Sequence, residues 1–248
     1  MPLMDEFREE REALKHGTWK EKLSYFFDYY KWHVVVTIAA IIFIVSITYQ
    51  IVTRKDTAFY AAMVNAIEQN SAEEYTRRFA EYAGIDLEEY DVLLDTSMRI
   101  DLTTLDQITI SSSEKLMALI ASKTIDVFIT DAAIMEQHAN SDTFLNLREF
   151  LSEEQFAKYE PYFYYIDQAV VDEKNARYQS HDSNYVPEYP DPRNPEAMQE
   201  PIPVGIYLND SCALRNYYYY AEGDVIVGIV GNTERAEATS MFLDFILE

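Results

Sequence analysis

The chain has 248 residues with 48% hydrophobic content, 20 Tyr and 13 Phe against only 6 Gly, a composition that excludes an intrinsically disordered protein and suits one substantial core. Residues 1–55 carry eight Lys/Arg and seven Asp/Glu, whereas 56–248 carry 12 and 36, a net charge of −24 that excludes nucleic acid as a partner because phosphates need neutralising cations. Cys212 is the lone cysteine, so an intrachain disulfide and a cysteine-based zinc site are excluded as well.

At the N-terminus, Thr18-x-x-Glu21 reads as a capping box that starts a helix near Thr18. Trp19, Leu23, Phe26, Phe27 and Tyr30 then recur at helical spacing, giving an aromatic face for the bilayer interface or for a neighbouring membrane helix. From Trp32 to Thr53 there is no Asp, Glu, Lys or Arg. These 22 residues make a helix of roughly 33 Å, enough to cross a hydrocarbon core of about 30 Å. Lys31 and Arg54-Lys55 bracket the run, and Tyr29, Tyr30, Trp32 and Tyr49 stand where aromatic rings favour headgroups.

The 31 residues ahead of the run are long and acidic for a secretory n-region, and neither a cleavage site nor a lipidation cysteine follows closely. The expectation is an uncleaved signal anchor. Lys15, Lys20, Lys22 and Lys31 place the N-terminus in the cytoplasm and the rest outside, on a bacterial plasma membrane. The predicted organisation is a leader at 1–31, a membrane span at 32–53 that engages the lipid bilayer, and an extracytoplasmic domain at 57–248.

In that domain Thr57–Asn65 has strand composition, and Ser71-x-x-Glu74 caps a helix closed by Gly84. Asp91–Asp95 is a second strand, Ser113–Ser122 a helix with Leu116, Leu119 and Ile120 on one face, Ile125–Thr130 a third strand, and Ala132–His138 a helix. This alternation predicts an α/β domain with a mostly parallel, mixed sheet covered on both faces, hence three layers. Further on, Phe144–Leu151 reads as a turn with a short helix, Ser152–Tyr159 as a helix and Tyr162–Val171 as a strand. The polar stretch 172–201 holds five of the eight prolines and reads as a long excursion or β-flap. Pro203–Leu208 and Val225–Val230 return as strands. Thr233–Leu247 closes the domain as an amphipathic helix with Ala236, Met241, Phe242, Phe245 and Ile246 inward.

The stretch Glu114–Asp131 followed by Phe144-Leu-Asn-Leu-Arg-Glu-Phe-Leu151, and the ending Val225–Val230 with Asn232–Leu247, resemble one lobe of bacterial extracytoplasmic solute-binding proteins of the type 2 class. The resemblance implies a lobe that binds a solute and serves a transporter or an envelope assembly. Such proteins close two lobes around a ligand, and a second lobe needs about 100 residues, far more than the Asp172–Glu200 segment supplies. A single lobe then works beside a neighbour, so a membrane protein partner or an oligomer is expected.

Ligands of open α/β sheets sit beyond the carboxyl ends of strands, which nominates Asn65, Asp95, Thr96, Ser97, Thr130, Asp131, Tyr207 and Asn209, with Asp210 and Ser211, for a small solute. The same small polar residues suit helix caps and turns. The quartets Tyr162–Tyr165 and Tyr217–Tyr220 offer rings for sugars or cations, or for the core. His181-Asp182 is an isolated pair. No GxSxG, P-loop, GxGxxG or HExxH motif is present, and no catalytic residue, metal ligand or cofactor is nominated. The leading expectation is a non-enzymatic binding or adaptor domain. A purely structural subunit and a surface hydrolase with paired carboxylates are the alternatives.

Overall fold

The computed structural model describes residues 18–181, 185–209, 212–221 and 223–247. Contacts divide the chain into two units, Met1–Arg54 and Lys55–Glu248. Among the described residues of the first unit is one long helix, α1 (Trp19–Val52). Its 21-residue segment Trp32–Val52 is long and apolar enough to cross a membrane, and none of its apolar window is buried. The predicted leader helix start agrees with Trp19, whereas the Glu21 partner of the capping box and the aromatic face from Leu23 to Tyr30 lie outside the described side chains.

The second unit is mixed α/β. It begins with β1 (Asp56–Met63), a two-residue β2 (Ile67–Glu68), α2 (Ala72–Ala83), β3 (Tyr90–Asp95), α3 (Gln107–Ala121), β4 (Val127–Asp131) and α4 (Ala132–Ala139). It continues with α5 (Leu147–Phe150), α6 (Glu153–Tyr159), β5 (Phe163–Asp167), α7 (Gln168–Gln179), β6 (Pro201–Leu208), β7 (Tyr218–Tyr219), β8 (Val225–Ile229) and α8 (Ala236–Leu247). Six strands form one sheet in the order β3-β1-β4-β8-β6-β5, while β2 pairs antiparallel with β7. The β3, β1 and β4 pairings are parallel; β8, β6 and β5 join antiparallel, so four of the six strands point the same way.

Side-chain alternation sets the two cores. Phe59, Ala61 and Met63 of β1 belong to a cluster shared with α2 and α8, whereas Tyr60, Ala62 and Val64 belong to a second cluster shared with α3 and α4. In the first cluster Phe59 meets Phe79 at 5.0 Å and Phe242 at 4.5 Å between ring centroids. A central strand buried on both sides explains the continuous apolar run from Ala58 to Val64.

Local chemistry explains most boundaries. Ser71 caps α2 through the Glu74 N–H and Gly84 ends it in the left-handed region at φ 67°. Ser152 and Gln155 form a reciprocal capping box on α6. Two expectations are corrected. The helix expected from Ser113 starts at Gln107, because the Asp106 carboxylate caps the Thr109 N–H. The strand expected through Val171 ends at Asp167, whose side chain accepts from the Ala169 N–H and starts α7, so the supposed excursion begins as a helix free of Gly and Pro. No strand lies among the described residues of 172–200; the prolines gather after α7, around a 3-10 turn at Pro195–Ala197. In α8 Thr239 and Leu243 are buried with Phe242 and Ile246, while Ala236 is exposed.

Candidate functional site

The polar residues beyond the strand ends form two separate knots. Asn65 sits at φ 64°, a conformation asparagine tolerates. Its amide donates to the Ile100 carbonyl and to the Asp131 carboxylate, each at 2.9 Å, and its Oδ1 accepts from the Ile100 N–H. The other oxygen of Asp131 caps α4 through the N–H groups of Ala133 and Ile134. The second knot centres on Asp95, which accepts from the Tyr60 hydroxyl at 2.6 Å, the Lys115 ammonium at 2.7 Å and the Ser97 N–H at 2.8 Å. Lys115 also donates to Ser97 Oγ. Burial pushes the Asp95 carboxyl up, but the bonds from Lys115, Ser97 and Tyr60 outweigh it and hold the group well below the usual carboxylate range.

The other nominated residues stand apart. Thr96 is half-buried between Asp95 and Ser97. Thr130 is fully buried, and its hydroxyl has no partner among the described residues. Tyr207 is buried with its ring 5.6 Å from that of Tyr164 and under the Arg193 guanidinium at 3.7 Å. Burial pushes the Tyr207 phenol up to about 12 against the opposing pull of Arg193. Arg193 in turn pairs with Asp224 at 2.7 Å. Asn209 is exposed and its carbonyl accepts from the Cys212 N–H. Asp182, Asp210 and Ser211 lie outside the described residues.

Concave surface lies elsewhere: one hollow of about 560 Å³ is lined by Arg78, Glu81, Tyr82, Ala213 and Phe245, and two adjoining ones lie near α4. A groove of about 420 Å³ runs between α4 and α7, lined by Glu136, Asn140, Lys174, Tyr178 and Tyr189 among others. It shares Glu136, Asn140 and Tyr189 with a smaller depression of about 210 Å³ at the β5 edge of the sheet. Lys174 is buried, with its ammonium donating to the Asn140 carbonyl at the end of α4, a cation placed against a helix C-terminus. No family model matches this chain. Neither a curated protein nor a solved structure matches it either.

Of the tyrosine quartets, 162–165 contributes to this surface by alternation. Phe163 and Tyr165 pack with the first core cluster, and Tyr164 with the second. A register irregularity falls between Tyr164 and Tyr165, opposite Pro203, which has no N–H to give the ladder, and the Tyr165 N–H donates outside the sheet, to the Pro192 carbonyl. In the other quartet Tyr218 and Tyr220 are buried and Tyr219 is exposed. Glu136 and Tyr189 carry no sequence signal, because a helix and a coil far apart in the chain bring them together.

Proposed function

We propose that this chain is a membrane-tethered extracytoplasmic binding or adaptor subunit that presents an acidic lobe to a protein partner carrying basic residues. In this reading Trp32–Val52 is an uncleaved single-pass anchor in a bacterial plasma membrane with the N-terminus cytoplasmic. The domain is a three-layer lobe related to the type 2 solute-binding proteins that has no second lobe, and its role is non-enzymatic. Core clusters that take helices from opposite sides of β1 support the layering.

The observation that carries the proposal is an exposed apolar set after β3. Leu102, Leu105 and Ile108 are 52%, 88% and 60% exposed. Asp101 precedes the set and Asp106 lies within it, between Leu105 and Ile108; their hydrogen bonds to Thr103 and Thr109 respectively hold both carboxyls below the ordinary range. Charge selects the occupant. An anionic bilayer and a second copy of a domain with net −24 both repel such a rim, whereas a segment bearing Lys or Arg beside apolar residues complements it. The two knots at the strand ends favour a protein over a solute there and also support, as a second reading, a purely structural subunit.

A photo-crosslinking residue at Leu105 in the full-length chain, in its own membranes, tests this. One protein adduct is expected, with Lys or Arg in the crosslinked peptide, diminished by Leu102→Asp. Adducts to lipid, to a second copy, or in equal yield from exposed Val186 would sink the proposal.

A further inference from the structure

The depression at the β5 edge has a lining unlike the rest of the surface. Tyr164, Tyr165 and Tyr189 supply rings, and Glu136, Asp167 and Asp191 supply carboxylates. No Lys or Arg lines it among the described residues. Asp167 is occupied with holding the fold: its oxygens accept from the N–H groups of Ala169, Gln199 and Glu200. One oxygen of Asp191 accepts from the Arg193 N–H. Glu136 is different, because its carboxylate meets no donor among the described residues. The hydroxyls of Tyr164 and Tyr189 likewise have no hydrogen-bond partner there; both residues line the depression, and Tyr164 is otherwise only 2% exposed. Burial first and the Glu136 carboxylate after it push the Tyr164 phenol up, so it stays protonated at neutral pH.

We propose that this depression binds a primary ammonium group on a short alkyl chain, held by Glu136, Tyr164 and Tyr189. An ammonium has three N–H donors, and these three side chains offer three unpaired acceptors. The charged bond goes to Glu136, the strongest acceptor, and the methylenes lie against tyrosine rings, where the cation also gains from the ring faces. About 210 Å³ is below the range of drug-sized ligands and suits an alkylamine or one lysine side chain.

Other ligand classes fit less well. Anions meet three carboxylates, and a quaternary ammonium has no N–H for the phenols. Among the described residues no group of three or more His, Cys, Asp or Glu is arranged to hold a metal ion, which disfavours an inorganic cation. Lys174 lines the adjoining groove, not this depression, and its ammonium is directed to the Asn140 carbonyl. The net charge of −24 over 56–248 raises the local concentration of any cation. This inference is independent of the apolar set after β3, since it concerns the opposite edge strand of the sheet.

Calorimetric titration of the full-length chain in nanodiscs of zwitterionic lipid tests it, with cadaverine as the free amine and a blocked Gly-Gly-Lys-Gly-Gly peptide as the protein side chain. Saturable binding of either is expected, and the one that binds more tightly identifies the source. Glu136→Gln, at an exposed position, is expected to weaken binding at least about tenfold, and Tyr189→Phe by a smaller factor with unchanged thermal midpoint. The proposal is overturned by no saturable binding of either amine, by equal affinity for tetramethylammonium or pentan-1-ol, or by unchanged affinity in Glu136→Gln.

Discussion

Asp95 joins two elements through one carboxylate, accepting from Tyr60 on β1 and Lys115 on α3. Its folded-state pKa is depressed, so its contribution is present above the unfolded value of about 3.9 and fades as pH falls through the lower folded value. Asp95→Asn is therefore expected to lower the urea midpoint at pH 7, with the gap to the parent narrowing steadily below about pH 4. A gap that is constant with pH would mean that shape, not charge, is what Asp95 contributes. The buried Asp126 is the deeper counterpart, with Arg235 Nε at 2.8 Å, the Thr233 hydroxyl and the Tyr60 N–H all donating to it. Of the nominated strand-end groups, Asn65, Asp95 and Asp131 are bonded within their own chain. Each was legible from its position after a strand, but a lone Asn or Asp gives no sign of whether its partner is a solute or a neighbouring loop. Asn65 and Asp131 are 66 residues apart, and only the parallel β1–β4 pairing sets them side by side.

Strand pairing shows the same limit for whole elements. On β6 and β8, Gly205 and Gly228 stand directly opposite each other. A Cβ at Gly228 would meet the Phe144 ring at 2.6 Å, and one at Gly205 would meet the Met135 methyl at 2.6 Å. The missing side chains let α4 and the segment before α5 lie close on the sheet. Gly228→Ala is expected to destabilise the domain by about 1–3 kcal/mol, read from denaturant midpoints, and Phe144→Leu in the same chain should recover part of it. Full additivity of the two changes would show that the ring is not what the glycine accommodates. Elements with their own end chemistry, such as α2 with Ser71 and Gly84 or α6 with Ser152 and Gln155, were legible in the sequence. α7 was not. Its cap, Asp167, doubles as the last residue of a strand, and its residues are too polar to show a helical stripe, since only Val171 and Lys174 are buried.

Across the molecule, an apolar helix and an acidic domain follow one another with a junction at Arg54 and Lys55. The proposed function makes Trp32–Val52 an uncleaved anchor, which should hold the full-length chain in the membrane pellet through alkaline carbonate washing. Protease added outside intact spheroplasts should digest the domain and spare an N-terminal tag. A soluble product beginning after the apolar run would instead identify a cleaved signal sequence. The long apolar helix, the acidic composition, the alternation of strands and helices and the caps of α2 are local properties: each depends on residues within about one helical turn or on simple composition, so the sequence alone determined them. The strand order, the antiparallel half of the sheet, the pairing of Asn65 with Asp131 and the meeting of Glu136, Tyr164 and Tyr189 were decided only by the tertiary structure. Those features join residues far apart in the chain, and which distant strands pair depends on the apolar area they bury together, a sum that no local window contains.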